Sequence, residues 1–144
     1  MFNKSVDDRL SQWANLRTTV DISNDPLRDV CEFWNQAPYI PYNRNVDPYN
    51  PRSWPTPWEI IAENHYDDFT RAIMMGWTLK YSNRYRNSKI ELQILVDKQK
   101  KTQYNIICVD SEWILNYIDN EPASIKNVPE AFYLENNIEL EIPR

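Results

Sequence analysis

Trp54-Pro55-Thr56-Pro57-Trp58-Glu59 spells out the start of a helix. Thr56 supplies a hydroxyl for the first turn, Pro57 stands where a missing N–H costs nothing, and Glu59 can reach back to the Thr56 N–H. The spacing predicts a helix over 57–63. A second one is expected from near Asn64, with Tyr66, Phe69, Ile73, Trp77 and the alkyl stem of Lys80 at helical spacing. Gly76, the single glycine, lies on that stripe. Glycine in a helix costs about 1 kcal/mol relative to alanine, so another backbone is expected to pack closely there.

Upstream, Ser5 followed by Asp7 and Asp8 reads as a hydroxyl cap with carboxylates at the positive helix end. Val6, Leu10, Trp13, Leu16 and Val20 then share a face. Asp25-Pro26 opens a short helix burying Leu27, Val30, Cys31 and Trp34, which must stop before Pro38. Residues 38–57 hold six of the ten prolines, with Tyr39, Tyr42, Tyr49 and Trp54 between them. Proline fixes φ and lacks an N–H, so this stretch is expected as an extended aromatic belt laid over the domain.

Downstream, Ile90, Leu92, Ile94 and Val96 alternate with polar residues, the period-two mark of a strand. Asp97 to Lys101 is a charged hairpin loop. Tyr104, Ile106 and Cys108 continue on a second strand with Ile107 and Val109 on its other face, and Glu112 to Tyr117 forms a third. A short helix is expected from Pro129 to Leu134, before the acidic tail Glu135 to Arg144. The whole is one α+β domain: an arm and helix over 1–24, a short helix and belt over 25–58, a helix and antiparallel meander over 59–118, and a C-terminal piece over 119–144.

Composition narrows the chemistry. A chain of 144 residues, 42% apolar, buries a real core. Cys31 and Cys108 sit in apolar patterns and read as buried thiols. No run is long enough to span a bilayer and no signal peptide is visible, so the expectation is no membrane and no secretion. One glycine excludes a phosphate-cradling loop, and no cofactor or metal is expected. The net charge of −5 hides a pattern: residues 71–101 carry 8 basic and 2 acidic side chains, between acidic ends. That makes a general nucleic-acid binder a poor fit, yet Arg84, Arg86, Lys89, Lys98, Lys100 and Lys101 could meet phosphates or an acidic protein.

Thr56-Pro57-Trp58-Glu59 followed by Tyr66-Asp67-Asp68-Phe69-Thr70 resembles the start of a bacterial transglutaminase-like cysteine proteinase domain. That family reads T-P-x-E, a short gap, then G-D-C-E-D-F-A opening the core helix. The resemblance covers residues 54–117 and implies a core helix on a small antiparallel sheet of about three strands. It also implies a cysteine at the helix N-terminus, a histidine on the second strand and an aspartate on the third. Helix polarity lowers a thiol pKa, and a carboxylate-oriented imidazole takes the proton. Carried over, those positions fall on Tyr66, Tyr104 and Asn116, with Asp67 and Asp68 matching the acidic flank. A phenol with a pKa of about 10 cannot replace a thiolate without a base. His65, the only histidine, stands beside the acids of the expected helix mouth.

On these residues the chain is expected to be a non-enzyme. The phrase W-P-T-P-W-E, with Asp47-Pro48-Tyr49 before it, also resembles small proteins of tailed bacteriophages. That resemblance implies a structural or adaptor protein of a virion, in the head–tail connector, tail or baseplate, working among other protein subunits or its own copies. The location it implies is a virion or host cytoplasm. A nucleic-acid-associated module using residues 71–101 is the alternative.

Overall fold

The computed structural model describes residues 1–41 and 46–143; Tyr42, expected in the belt, lies outside them. Four helices precede a sheet: α1 (Val6–Ile22), α2 (Pro26–Trp34), α3 (Pro57–Glu63) and α4 (Asp68–Lys80). The strands are β1 (Ile90–Asp97), β2 (Thr102–Val109), β3 (Trp113–Ile118), β4 (Glu121–Ser124) and β5 (Phe132–Glu139). They form an antiparallel sheet in the order β4-β3-β2-β1-β5.

The helix starts follow from local chemistry. The Ser5 hydroxyl accepts from Asp8 N–H at 3.3 Å, and Thr56 and Glu59 complete a reciprocal capping box. Asn64 ends α3 in the left-handed conformation at φ 59°, which asparagine tolerates. The last carbonyls of α3 would otherwise lack partners. Arg9 of α1 donates to Ile61 O and Ala62 O, both at 3.1 Å, and to Lys4 O.

The main core lies between the helices and one sheet face: Trp13, Trp34, Phe69, Ile73, Met74, Ile107 and Leu140 are all buried. Trp13 and Trp34 share an acceptor, both indole N–H groups donating to Thr78 Oγ1, at 2.9 and 3.0 Å. The opposite sheet face carries a smaller core of Leu95, Ile106, Cys108, Ile114 and Ala123, flanked by Tyr104, Tyr117, Ile125, Val128 and Phe132. Both cysteines are buried and free.

Several expectations are corrected. The sheet has five strands where about three were expected, because the C-terminal segment is not a short helix followed by a tail. Phe132–Glu139 pairs along the open edge of β1, and aromatic Phe132 and Tyr133 suit a strand. The core helix begins at Asp68 rather than near Asn64, with Asp67 as its cap. At Gly76 the close neighbours are side chains, not backbone: an added Cβ would meet Leu140 Cδ1 at 2.6 Å and Ile107 Cδ1 at 2.8 Å. The belt crosses the domain through Trp54, 5.2 Å from the Phe69 ring, and Tyr49, whose hydroxyl donates to Glu135 at 2.7 Å. Among the described residues no helix is long and apolar enough to cross a membrane.

Candidate functional site

Three elements converge at the N-terminus of α4. Before it, Tyr66 forms a short parallel bridge with the belt: its N–H donates to Pro38 O at 3.1 Å, and its carbonyl accepts from Ile40 at 2.9 Å. Asp67 then caps the helix reciprocally with Thr70, at 2.7 and 2.8 Å. With the cap assigned to Asp67, the side chain of Asp68 is left to face the sheet.

On β2 the side chains alternate. Asn105 has the parity of Ile107 and Val109, which belong to the main core beneath α4, whereas Tyr104 goes with Ile106 and Cys108 to the other face. On β3, Asn116 has φ 67° within an irregular stretch of its pairing with β4. That left-handed residue breaks the alternation, so Asn116 reaches α4 just after inward-facing Leu115.

The result is a closed polar corner. Asp68 Oδ2 accepts from the Asn105 backbone N–H at 3.2 Å and from its carboxamide at 3.0 Å. Asp68 Oδ1 accepts from Asn116 Nδ2 at 3.0 Å, and the same nitrogen lies 2.8 Å from Asn105 O. Asn105 is buried, and its Oδ1 has no partner among the described residues. Cys31 of α2 lies nearby, its thiol touched by the Asn116 backbone; burial pushes its pKa up to about 12.

Of the three expected former catalytic positions, only Asn116 stands in this corner. Tyr66 is buried away from it, its ring 5.6 Å from Trp34 and 5.7 Å from Phe2. Burial also raises the pKa of its phenol, whose hydroxyl has no partner among the described residues. Tyr104 stacks on Phe132 at 5.4 Å across the opposite sheet face. The corner is made instead by Asp68, expected only as a flank, and by Asn105, which sequence reasoning passed over. The polar side chain on an otherwise apolar strand face was the signal. His65 is exposed and takes no part.

A polar cleft of about 590 Å³ lies between the end of α2, the first turn of α4 and the β3–β4 turn. Glu32, Asn35, Gln36, Arg71, Asp119 and Asn120 line it. Arg71 follows Asp68 by one helical turn, its guanidinium 5.4 Å from the Tyr39 ring and its Nε buried without a partner among the described residues.

The basic side chains from Arg84 to Lys101 are exposed, and some of them contact the rest of the chain. Arg84 is held at the end of α1 by Asp21 Oδ1 at 3.0 Å and by Ser23 O at 2.6 Å. Lys89 lies 3.8 Å from Glu91, and Lys98 lies 5.2 Å from the Tyr133 ring. Arg86, Lys100 and Lys101 are exposed.

No family model matches the sequence, and no curated protein matches it. Solved structures do. Calcium-bound LapG of Legionella pneumophila superposes with a TM-score of 0.70 at 17% identity, covering 94% of this chain and 77% of that one. The fold is LapG-like. A further LapG structure gives 0.70 at 19% identity over the same shares. The EGTA-treated form gives 0.64 at 20%, covering 87% of this chain and 69% of LapG. LapG is a bacterial transglutaminase-like cysteine protease, so the expected transglutaminase-like fold is present. The same finding overturns the expectation of a non-enzyme: this architecture is one that a protease uses. The tailed-phage resemblance gains nothing from these matches.

Proposed function

We propose that this chain is a polypeptide-handling domain of the transglutaminase-like fold, which receives an extended protein segment in the cleft beside Asp68, Asn105 and Asn116. The observation that carries this reading is the cleft's lining. Asn35 Nδ2 already donates to Asn120 Oδ1 at 3.1 Å and Gln36 Nε2 to Glu32 O at 3.3 Å, so the cleft offers a peptide group the Asn120 carboxamide N–H as donor and the Asn35 and Gln36 carboxamide oxygens as acceptors. Arg71 adds a charged donor one turn from the corner. Asp68, Asn105 and Asn116 hold the helix end and the two strands together, which keeps the cleft's inner wall fixed. Support also comes from LapG, a protease of this fold.

A peptide pool from a digested proteome tests it. Passed over the immobilised chain, a restricted set of peptides should be retained or returned with changed termini, as read by mass spectrometry. Arg71→Ala should abolish that set while circular dichroism stays unchanged. A pool that emerges unaltered and unretained overturns the reading. As the source of the segment we propose another subunit of the assembly in which the chain works, within a virion or host cytoplasm. The support is the W-P-T-P-W-E resemblance to tailed-phage proteins. Absence from purified particles, measured by mass spectrometry, removes that source.

A further inference from the structure

A second concavity lies at the other end of α4. Asp68 opens the helix and Trp77 stands in its last turns, nine residues on, which is about 14 Å along the axis. There the belt residues Trp54, Pro55, Pro57 and Trp58 face Trp77, Tyr81 and the end of β5, enclosing a groove of about 320 Å³. The rings form one continuous cluster: Trp58 lies 5.4 Å from Tyr81, Trp77 lies 5.8 Å from Tyr81, and Trp13 backs Trp58 at 5.7 Å. Trp58 is 45% exposed, unusual for so large an apolar side chain.

Among the described residues, the charged side chains that line the groove are both acidic. Glu139 and Glu141 line it from the end of β5 and beyond; both are exposed and neither is in an ion pair among the described residues. The C-terminal end of α4 carries the negative pole of the helix. Lys80, the cation in its last turn, is turned away to donate to Ser88 O at 2.9 Å. Aromatic faces attract cations through their quadrupole, as the same cluster already shows: the Arg17 guanidinium sits 4.3 Å over the Trp13 ring.

From these observations we infer that the groove of Trp54, Trp58, Trp77 and Tyr81 is a docking site for a polypeptide segment presenting an arginine or lysine between apolar residues. The cation lies over the exposed rings, its charge met by Glu139 and Glu141. The apolar flanks cover Pro55 and Pro57. The segment lies along two short non-helical runs of this chain, residues 54–56 and 140–143, and is itself extended. This site is separate from the cleft at the start of α4 and does not depend on the function proposed for it.

Fluorescein-labelled Pro-Pro-Arg-Pro-Pro-Tyr, and the same peptide with glutamine or glutamate for arginine, test the inference by fluorescence anisotropy on the full chain. The arginine peptide should bind about tenfold more tightly than the glutamine one, with the glutamate one weakest. Binding should weaken with added salt. Trp58→Ala should abolish it, and the double exchange Glu139→Gln with Glu141→Gln should weaken it several-fold. All three side chains are exposed, so circular dichroism should show the fold retained. Equal binding of the arginine and glutamine peptides, indifference to either variant, or no binding at millimolar peptide would each overturn the inference.

Discussion

The carboxamide of Asn116 donates to the side chain of Asp68 at 3.0 Å and lies 3.3 Å from the same residue's backbone oxygen. One amide on a strand thereby holds the first turn of a helix 48 residues earlier in the chain. Removing it should cost more than an ordinary polar substitution. Asn116→Ala loses these bonds and puts alanine at φ 67°, a conformation that asparagine tolerates better, so urea denaturation should show a loss of about 2–4 kcal/mol. Asn116→Gly loses the bonds but not the conformation, and should recover about 1 kcal/mol of that.

Thr78 anchors two tryptophans. Its Oγ1 accepts from both indoles and donates to Met74 O at 2.6 Å, with the residue fully buried. Thr78→Val keeps the shape and strands two buried N–H donors, so stability should fall by about 2–4 kcal/mol. Thr78→Ser keeps the hydroxyl and should cost about 1 kcal/mol. The pair of midpoints separates hydrogen bonding from packing.

Gly76 leaves room for Leu140 and Ile107 on the helix face. Gly76→Ala gains about 1 kcal/mol in helix preference but pushes into Leu140 Cδ1 and Ile107 Cδ1, buried side chains with little freedom. A net loss of about 1 kcal/mol is expected. Leu140→Ala should be less damaging in the Gly76→Ala background than alone, since the added methyl fills part of the space vacated. A double-mutant cycle measures that coupling.

Cys31 makes stability depend on alkaline pH. Burial raises its pKa from an ordinary 9.0 to about 12, so the folded chain keeps the thiol protonated where the unfolded chain releases the proton. The contribution is therefore constant below pH 9 and declines as pH rises from 9 towards 12. Replacing Cys31 by Ala should shallow that decline. In the native chain a thiol reagent at pH 8 should modify Cys31 only as fast as the protein opens.

How far these features could be read in advance depends on the distance over which they are determined. The Thr56–Glu59 box and the Ser5 cap are local, and side-chain chemistry within four residues settles them. The corner is not local. A period-two strand makes a one-residue slip a change of face, which is why Tyr104 points to the opposite sheet face while its neighbour Asn105 meets Asp68. Likewise Asp67, by taking the cap, moves the helix start beyond Tyr66 and leaves that phenol in the core. Nothing in the sequence announces the positive φ of Asn116, which turns its side chain towards Asp68. The strand at Phe132–Glu139 was hidden because its partner β1 lies far upstream and its own residues include two asparagines and glutamates.

That last strand lies beside the first one, and Leu140 just beyond it closes over Gly76 in the main core. During synthesis, then, the helices and the β1–β2 hairpin emerge with the outer edge of β1 unpaired and Leu140 not yet against Gly76. The sheet can be completed only once residues 132–140 have emerged. A ribosome stalled shortly before them would hold a nascent chain that chaperones recognise and proteases digest.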